Sequence, residues 1–184
     1  MSDALRLQCM MREHFDAVWR SAKRLGIDAG RAEDIAQKAF IIASEKLQQI
    51  EPGKEKAFLM GVVARLSSDA RKHAFYARAS NQQDALSARF STGATPEQVV
   101  SREQALQILD QALSQLPDEL REIFVLSQVE EMTMADIAQA LGIPSGTVAS
   151  RLRRAREQFR QLLSAWVPSE DRESWMRMVA GDSR

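Results

Sequence analysis

The residues with the clearest chemistry lie between Met132 and Phe159, where the chain reads MTMADIAQALGIPSGTVASRLRRAREQF. Guanidinium groups crowd its second half at Arg151, Arg153, Arg154 and Arg156, behind hydroxyls at Ser145, Thr147 and Ser150. At helical spacing Thr147, Ser150, Arg151 and Arg154 share one stripe, and Arg153, Arg156 and Arg160 flank it. Such a face suits the major groove of DNA. Arg bonds guanine bidentately, Ser and Thr bond base edges or phosphates, and flanking Arg neutralises phosphate. A surface helix with merely solvated arginines would look the same, so the arginines alone do not decide between the two.

The elements that must hold this face tip the balance toward DNA. Thr133 is placed to cap a short helix, with Asp136 as the acidic partner of a capping box. Met134, Ile137, Ala138 and Leu141 give that helix one apolar face. Gly142 suits a left-handed helix end, and Pro144 suits the first turn of the next helix. There Val148, Leu152, Ala155 and Phe159 form an apolar stripe opposite the polar one. Two helices joined by a tight Gly-containing turn are the helix-turn-helix signature.

The chain has 184 residues, 45% of them hydrophobic, enough for one medium domain or two small ones. Its formal net charge of zero is a sum of unlike parts. Asp118, Glu119, Glu122, Glu130, Glu131 and Asp136 make Leu116 to Ile143 acidic, whereas Pro144 to Arg160 is basic apart from Glu157. This segregation predicts a directional surface rather than diffuse polyanion affinity. Cys9 is the one cysteine, so no internal disulfide or Cys-rich metal site is expected. His14 and His73 lack ligand-like neighbours, and no phosphate loop or nucleophile elbow is present. We therefore expect no catalytic residues, no metal and no cofactor: a protein that is not an enzyme. No apolar run reaches membrane-span length and no signal-peptide pattern opens the chain, so a reducing cytoplasm without membrane insertion is expected.

Proline is rare and strand-like alternation is absent, which predicts an all-α chain. Glu13 to Leu25 reads as a helix with Phe15, Val18, Trp19, Ala22 and Leu25 inward, stopped by Gly26. Arg31 to Leu47 follows, with Ala32, Ile35, Ala36, Ala39, Ile42, Ala43 and Leu47 inward. Glu33, Asp34 and Gln37 lie outward in its first turns. On charge alone they read as complements of the helix dipole, with an Asp34–Lys38 pair. After a Pro-Gly loop (Gln48 to Lys56), Ala57 to about Arg78 reads as a third helix. Leu59, Val63, Leu66 and Ala70 form its apolar line, while Phe58, Val62, Arg65, Asp69 and Lys72 form another, continued by Arg71, His73, Phe75, Tyr76 and Arg78. Cations interleaved with rings suit single-stranded nucleic acid, although a basic surface helix with packed aromatics has the same composition.

Residues 79–95 read as a flexible polar linker. The expected organisation is two small helical domains, 1–78 and 96–165, with the helix-turn-helix in the second. Thr95-Pro96 restarts a helix that runs to about Gln115, and Leu116-Pro117 breaks it and starts another carrying Leu120, Ile123, Phe124 and Val129. The last helix reaches about Ala165. In the tail, 166–184, Pro168-Ser169 can cap a short helix bearing Trp175, Met176 and Val179, which either packs back on its own domain or docks a partner.

Together these stretches resemble bacterial sigma factors of the extracytoplasmic-function (ECF) group, over roughly Glu13 to Trp166. AEDIAQKAF (Ala32 to Phe40) resembles the segment that binds the clamp helices of the polymerase largest subunit. AFLMGVVARLSSDARK (Ala57 to Lys72) resembles the promoter-melting segment of region two. LPDELREIFVLSQVEEMTMADIAQALGIPSGTVASRLRRAR (Leu116 to Arg156) resembles region four.

The resemblance implies a transcription initiation factor that binds core RNA polymerase through Glu33, Asp34, Gln37 and Phe40. It implies melting and reading of the downstream (−10) element through Lys54, Lys56, Phe58, Arg65, Asp69, Arg71, Lys72, Phe75 and Tyr76. It implies reading of the upstream (−35) element through Ser145, Thr147, Ser150, Arg151, Arg153, Arg154 and Arg156. The implied partners are core polymerase (the clamp helices and the flap of the second largest subunit), promoter DNA and an anti-sigma factor. The Ile50 to Lys56 loop is placed to frame a flipped base. Two departures stand out: Phe58-Leu59 replaces the usual Trp-Leu, and Arg65 stands where an Asn often faces the promoter. Arg lacks the paired donor and acceptor of an amide.

Overall fold

A computed structural model describes the backbone of residues 3–80 and 102–167, with side chains over 3–74 and 103–167, together with Ser169 and Arg172. The described residues are helical, without a strand. In order they are α1 (Asp3–Arg24), α2 (Ala29–Glu45), a 3-10 turn (Leu47–Gln49), α3 (Glu55–Ser80), α4 (Arg102–Gln115), α5 (Asp118–Phe124), a π-helical turn (Val125–Val129), α6 (Met134–Leu141) and α7 (Ser145–Ser164). Most of the expected 79–95 linker, the start of the helix expected from Thr95, and Trp175, Met176 and Val179 lie outside the described residues.

Helices α1, α2 and α3 pack mutually as the N-terminal group. Val18 and Ala22 of α1 and Leu25 just past its end are buried, and Ala32, Ala36, Ala39 and Ala43 let α2 approach closely. Asp28 caps α2 by accepting from the Arg31 amide, and Gly26 ends α1's exit at a φ of +89°. Helix α1 starts at Asp3 rather than Glu13. Its extra turns are anchored by buried Met10 and by Arg6, which donates to the carbonyls of Leu47 (3.1 Å) and Ile50 (2.7 Å) and pairs with Glu55 (2.7 Å). One side chain thus ties α1 to both ends of the loop before α3.

In the C-terminal group α7 packs on α5, α6 and α4. Val148, Leu152, Ala155 and Phe159 are all buried, as their spacing predicts, and the Phe159 ring lies 4.2 Å from that of Phe124. Arg121 donates to the carbonyls of Leu113 (2.7 Å), Ser114 (3.0 Å) and Leu116 (3.1 Å). These are among the acceptors that the end of α4 leaves without a helical partner. Thr133 caps α6 and Gly142 ends it in the left-handed region at φ 65°, as expected.

Thr133 accepts from the Asp136 amide (3.1 Å) and its hydroxyl donates to the Asp136 carboxylate (2.8 Å), so the two residues pair at the start of α6 as expected, while Lys54 holds the other carboxylate oxygen. Two local expectations shift. Pro144 is the N-cap of α7, extended at ψ 144°, and Ser145 opens the helix. Met134 is 50% exposed, since at the first residue of a short helix it points away from the contact made by Ile137, Ala138 and Leu141.

The two groups dock on each other, chiefly α3 against α6. Gly61 makes this possible: a Cβ there would lie 2.8 Å from the Cβ of Ala140.

Candidate nucleic-acid interface

The sequence-predicted residues fall on three faces. The first is the outer side of α7. Burial of its apolar stripe against α5 turns Ser145, Ser150, Arg153, Arg154 and Arg156 to solvent and leaves Thr147 half-buried. Among the described residues Arg153 and Arg154 have no carboxylate partner. Arg151 is held: its guanidinium lies 2.7 Å from the Glu119 carboxylate of α5. Arg156 donates to the Gln128 side chain at 3.2 Å, and the Ser150 hydroxyl donates to the Thr147 carbonyl at 3.0 Å. The face can offer guanidinium donors and hydroxyls to an acceptor-rich groove.

The second face is on α2. Glu33, Asp34 and Gln37 are exposed side by side. The expected Asp34–Lys38 pair is not formed, which leaves both groups to water. Phe40 is not on this face. It is buried to 5% exposure and stacked on Phe15 at 6.1 Å, so it anchors α2 in the core. Ile41, 57% exposed, takes the place beyond Gln37. Its one available signal in the sequence was that it falls off the inward stripe.

The third face runs along the loop before α3 and α3 itself. Lys54 pairs with Asp136 (2.9 Å), Lys56 with the Glu130 carboxylate (3.3 Å), and Arg71 with Asp118 (3.0 Å). Arg65 donates to the Ala140 carbonyl at 3.3 Å, and Arg71 also to that of Leu25. Phe58 is half-buried against the core, while Asp69 and Lys72 are exposed. The side chains of Phe75 and Tyr76 lie outside the described residues.

Glu130 is the unusual group here. The π-helical turn and the positive φ of Glu131 (57°) carry it inward, where its side chain is 5% exposed between Ser21 and Lys56 of the N-terminal group. The hydrogen bond from Lys54, joined by that of Thr133, holds the Asp136 carboxyl below the ordinary carboxylate range, and Asp136 in turn raises the Lys54 ammonium. Burial pushes the Glu122 carboxyl up, against the pull of Arg71 and Arg151. Among the described residues no group of His, Cys, Asp and Glu is arranged to hold a metal, and no helix is long and apolar enough to cross a membrane.

Comparison with known proteins agrees with this layout. Residues 10–74 match Sigma-70 region 2, and residues 106–159 match Sigma-70 region 4. The ECF RNA polymerase sigma factor SigE of Mycolicibacterium smegmatis is 31% identical over 159 residues, a span that is 84% of this chain and 60% of that protein. The chain thus spans less than two thirds of that relative's length. SigL of Mycobacterium tuberculosis is 31% identical over 164 residues, 88% of this chain and 91% of its own. Among solved structures, the sigma factor RpoE in complex with the anti-sigma factor NepR from Bartonella quintana aligns with a TM-score of 0.67 and 26% identity, over 86% of this chain and 97% of that one. CnrH in complex with the cytosolic domain of CnrY shares the fold, at a TM-score of 0.61 and 22% identity. Both regions of the sigma-70 family are therefore present in order, at the helices whose outer faces carry the acidic and the basic groups, and the chain belongs to the ECF RNA polymerase sigma factors, which are transcription initiation factors.

Proposed function

We propose that the chain recruits core RNA polymerase through α2 and directs it to promoters by reading two DNA elements. Residues 1–78 form the polymerase-binding and strand-separating domain, 79–95 the linker, and 96–165 the domain that reads the upstream element. Glu33, Asp34 and Gln37 meet the clamp helices of the polymerase largest subunit, while Phe40 fixes the helix that presents them. The C-terminal domain meets the flap of the second largest subunit. In α7, Ser145, Thr147, Ser150, Arg151 and Arg154 address base edges of the −35 element, and Arg153 and Arg156 its phosphates. Lys54, Lys56, Arg65, Arg71 and Lys72, with Phe58, Asp69, Phe75 and Tyr76, address the −10 element and its separated strand.

The observation that carries this reading is the α7 face, where hydroxyls and guanidiniums stand outward on a helix whose other side is locked in the core. A helix with about five phosphate contacts has a salt slope near −4 to −5 and only about 10⁻⁴ to 10⁻⁶ M non-specific affinity. Two modules held on one polymerase gain roughly 10²-fold or more from effective concentration. The protein works in the cytoplasm with polymerase, and an anti-sigma factor of the kind bound to the RpoE relative restrains it by covering the α2 face. The test is co-elution with bacterial core polymerase. Wild type co-elutes and Glu33→Lys/Asp34→Lys does not. A wild-type chain that fails to bind core while free of any inhibitor would instead be an autonomous DNA-binding regulator.

A further inference from the structure

We infer that Arg6 is a positioning residue for the downstream element: from the first turns of α1 it braces both flanks of the loop between α2 and α3 and so fixes where the tip of that loop points. This inference rests on the reading of the Ile50 to Lys56 loop as the frame for a flipped base.

The tip takes its shape from its own residues. Pro52 and Gly53 stand at the centre of a turn, Gly53 at a φ of 84°, and the Lys54 amide donates to the Glu51 carbonyl at 3.0 Å. Proline followed by a glycine of positive φ is what a type II turn demands. Glu51, Pro52, Gly53 and Lys54 are all exposed, and a Cβ on Gly53 would meet nothing within 4 Å. Apart from the Lys54–Asp136 pair, the direction of the tip is therefore set by its flanks.

Arg6 holds those flanks together. Its guanidinium donates to the Leu47 and Ile50 carbonyls ahead of the tip, at 3.1 and 2.7 Å, and to the Glu55 carboxylate behind it, at 2.7 and 3.2 Å. A planar fork spans several acceptors at fixed angles, which a point-like ammonium does not. Arg6 is 17% and Glu55 18% exposed, so these charge-assisted bonds are screened less than those of a surface pair. Buried Leu47 and Ile50 seat the near flank in the core, and buried Met10 seats the turn that carries Arg6. Asp3, one turn earlier on α1, accepts from the Gln48 side chain at 2.6 Å and adds a second tie. Asp3 and Arg6 both precede residue 10, where the region 2 match begins, so the brace is an addition to the matched region. A recognition loop depends on rigid support, and looseness of about 1 Å is enough to spoil a site.

The test reads base discrimination. The full chain is assembled with core polymerase, and binding of a fork-junction DNA carrying the −10 element of a mapped promoter is followed by fluorescence anisotropy, with each base of the element varied in turn. Arg6→Met keeps an apolar stem and removes the donors. It is expected to lower the ratio of affinities for the preferred and the substituted base about tenfold at one position, while co-elution with core polymerase is unchanged. A purely structural role moves a different quantity: a misfolded fraction weakens binding to every fork by the same factor and leaves the ratio intact. An unchanged ratio, with or without a uniform loss, overturns the brace. Pro52→Gly, which loosens the turn without touching Arg6, separates the two readings. If it lowers the ratio and Arg6→Met does not, the brace fails and the base-framing loop stands. If neither lowers it, the base-framing reading falls as well. Should Arg6→Met lose its helical signal, Glu55→Ala decides: a lowered ratio supports the brace, and an unchanged one overturns it.

Discussion

Arg151, Arg153 and Arg154 are neighbours on α7, yet the structure gives them different fates, and truncating each separates three effects. Arg154 lies on the polar stripe with Thr147 and Ser150 and has no carboxylate partner among the described residues. Losing one good base contact costs about 1–3 kcal/mol, so Arg154→Ala should weaken binding to the upstream element roughly 5- to 150-fold and relax preference at one base pair. Arg153 flanks the stripe. Arg153→Ala should weaken all duplexes alike and reduce the salt slope by about 0.9. Arg151 must first leave Glu119, 2.7 Å away on a side chain 69% exposed. An exposed pair of this kind is worth about 0–1 kcal/mol, so Glu119→Gln should tighten DNA binding by at most about fivefold. The assay is fluorescence anisotropy of the full chain on a duplex mapped as a promoter with the reconstituted polymerase, repeated over several salt concentrations and on single-base variants. A uniform loss with the same slope change for both Arg153→Ala and Arg154→Ala would refute the placement of this stripe against base edges.

Other outcomes follow from the packing. Phe159→Ala removes the ring packed at a tilt against Phe124 from a 2% exposed site and should cost about 3–5 kcal/mol, lowering Tm by roughly 10 °C in thermal unfolding followed by circular dichroism. Arg121→Ala removes the side-chain donor to three carbonyls at the end of α4, of which Leu113 keeps the Leu116 amide, and should cost about 2–4 kcal/mol in a denaturant titration. Burial raises the Glu122 carboxyl above its unfolded value, so its penalty is absent at low pH and grows as pH rises through the folded value; Glu122→Gln should raise Tm at pH 7 by less than about 4 °C and not at pH 4.

The Lys54–Asp136 pair between the two helical groups has its own pH window. Asp136 is depressed, so its contribution is present above about pH 4 and is lost as pH falls through the lower folded value. Lys54 is raised, so its contribution is full below about pH 10 and is lost as pH rises through the folded value. Energy transfer between a dye on each group should therefore be level across neutral pH and fall at both extremes, and Asp136→Asn should blunt both edges.

Much of this molecule is dictated locally. Thr133 and Gly142 bound α6 because a hydroxyl can satisfy an early helical amide and a glycine can turn left-handed at the end. The stripes of α2 and α7 follow from helical periodicity, and with them the outward placement of Glu33, Asp34, Gln37, Ser150, Arg153 and Arg154. These features depend on residues within a few positions of one another, which is why they could be read from the chain alone.

The tertiary structure decided the rest. Phe40 sits at the end of a readable motif, but Phe15 of α1 draws its ring into the core. The turns before Glu13 become helical because Arg6 finds carbonyls near Leu47 and Ile50, more than forty residues on. The π-helical turn that buries Glu130 has meaning only beside Ser21 and Lys56. In sequence, the acidic stretch from Asp118 to Asp136 read as a charged surface. Folded, its carboxylates meet Arg71, Arg151, Lys56 and Lys54. Helical periodicity fixes which side of a helix a charge is on, but only long-range packing fixes what stands opposite it.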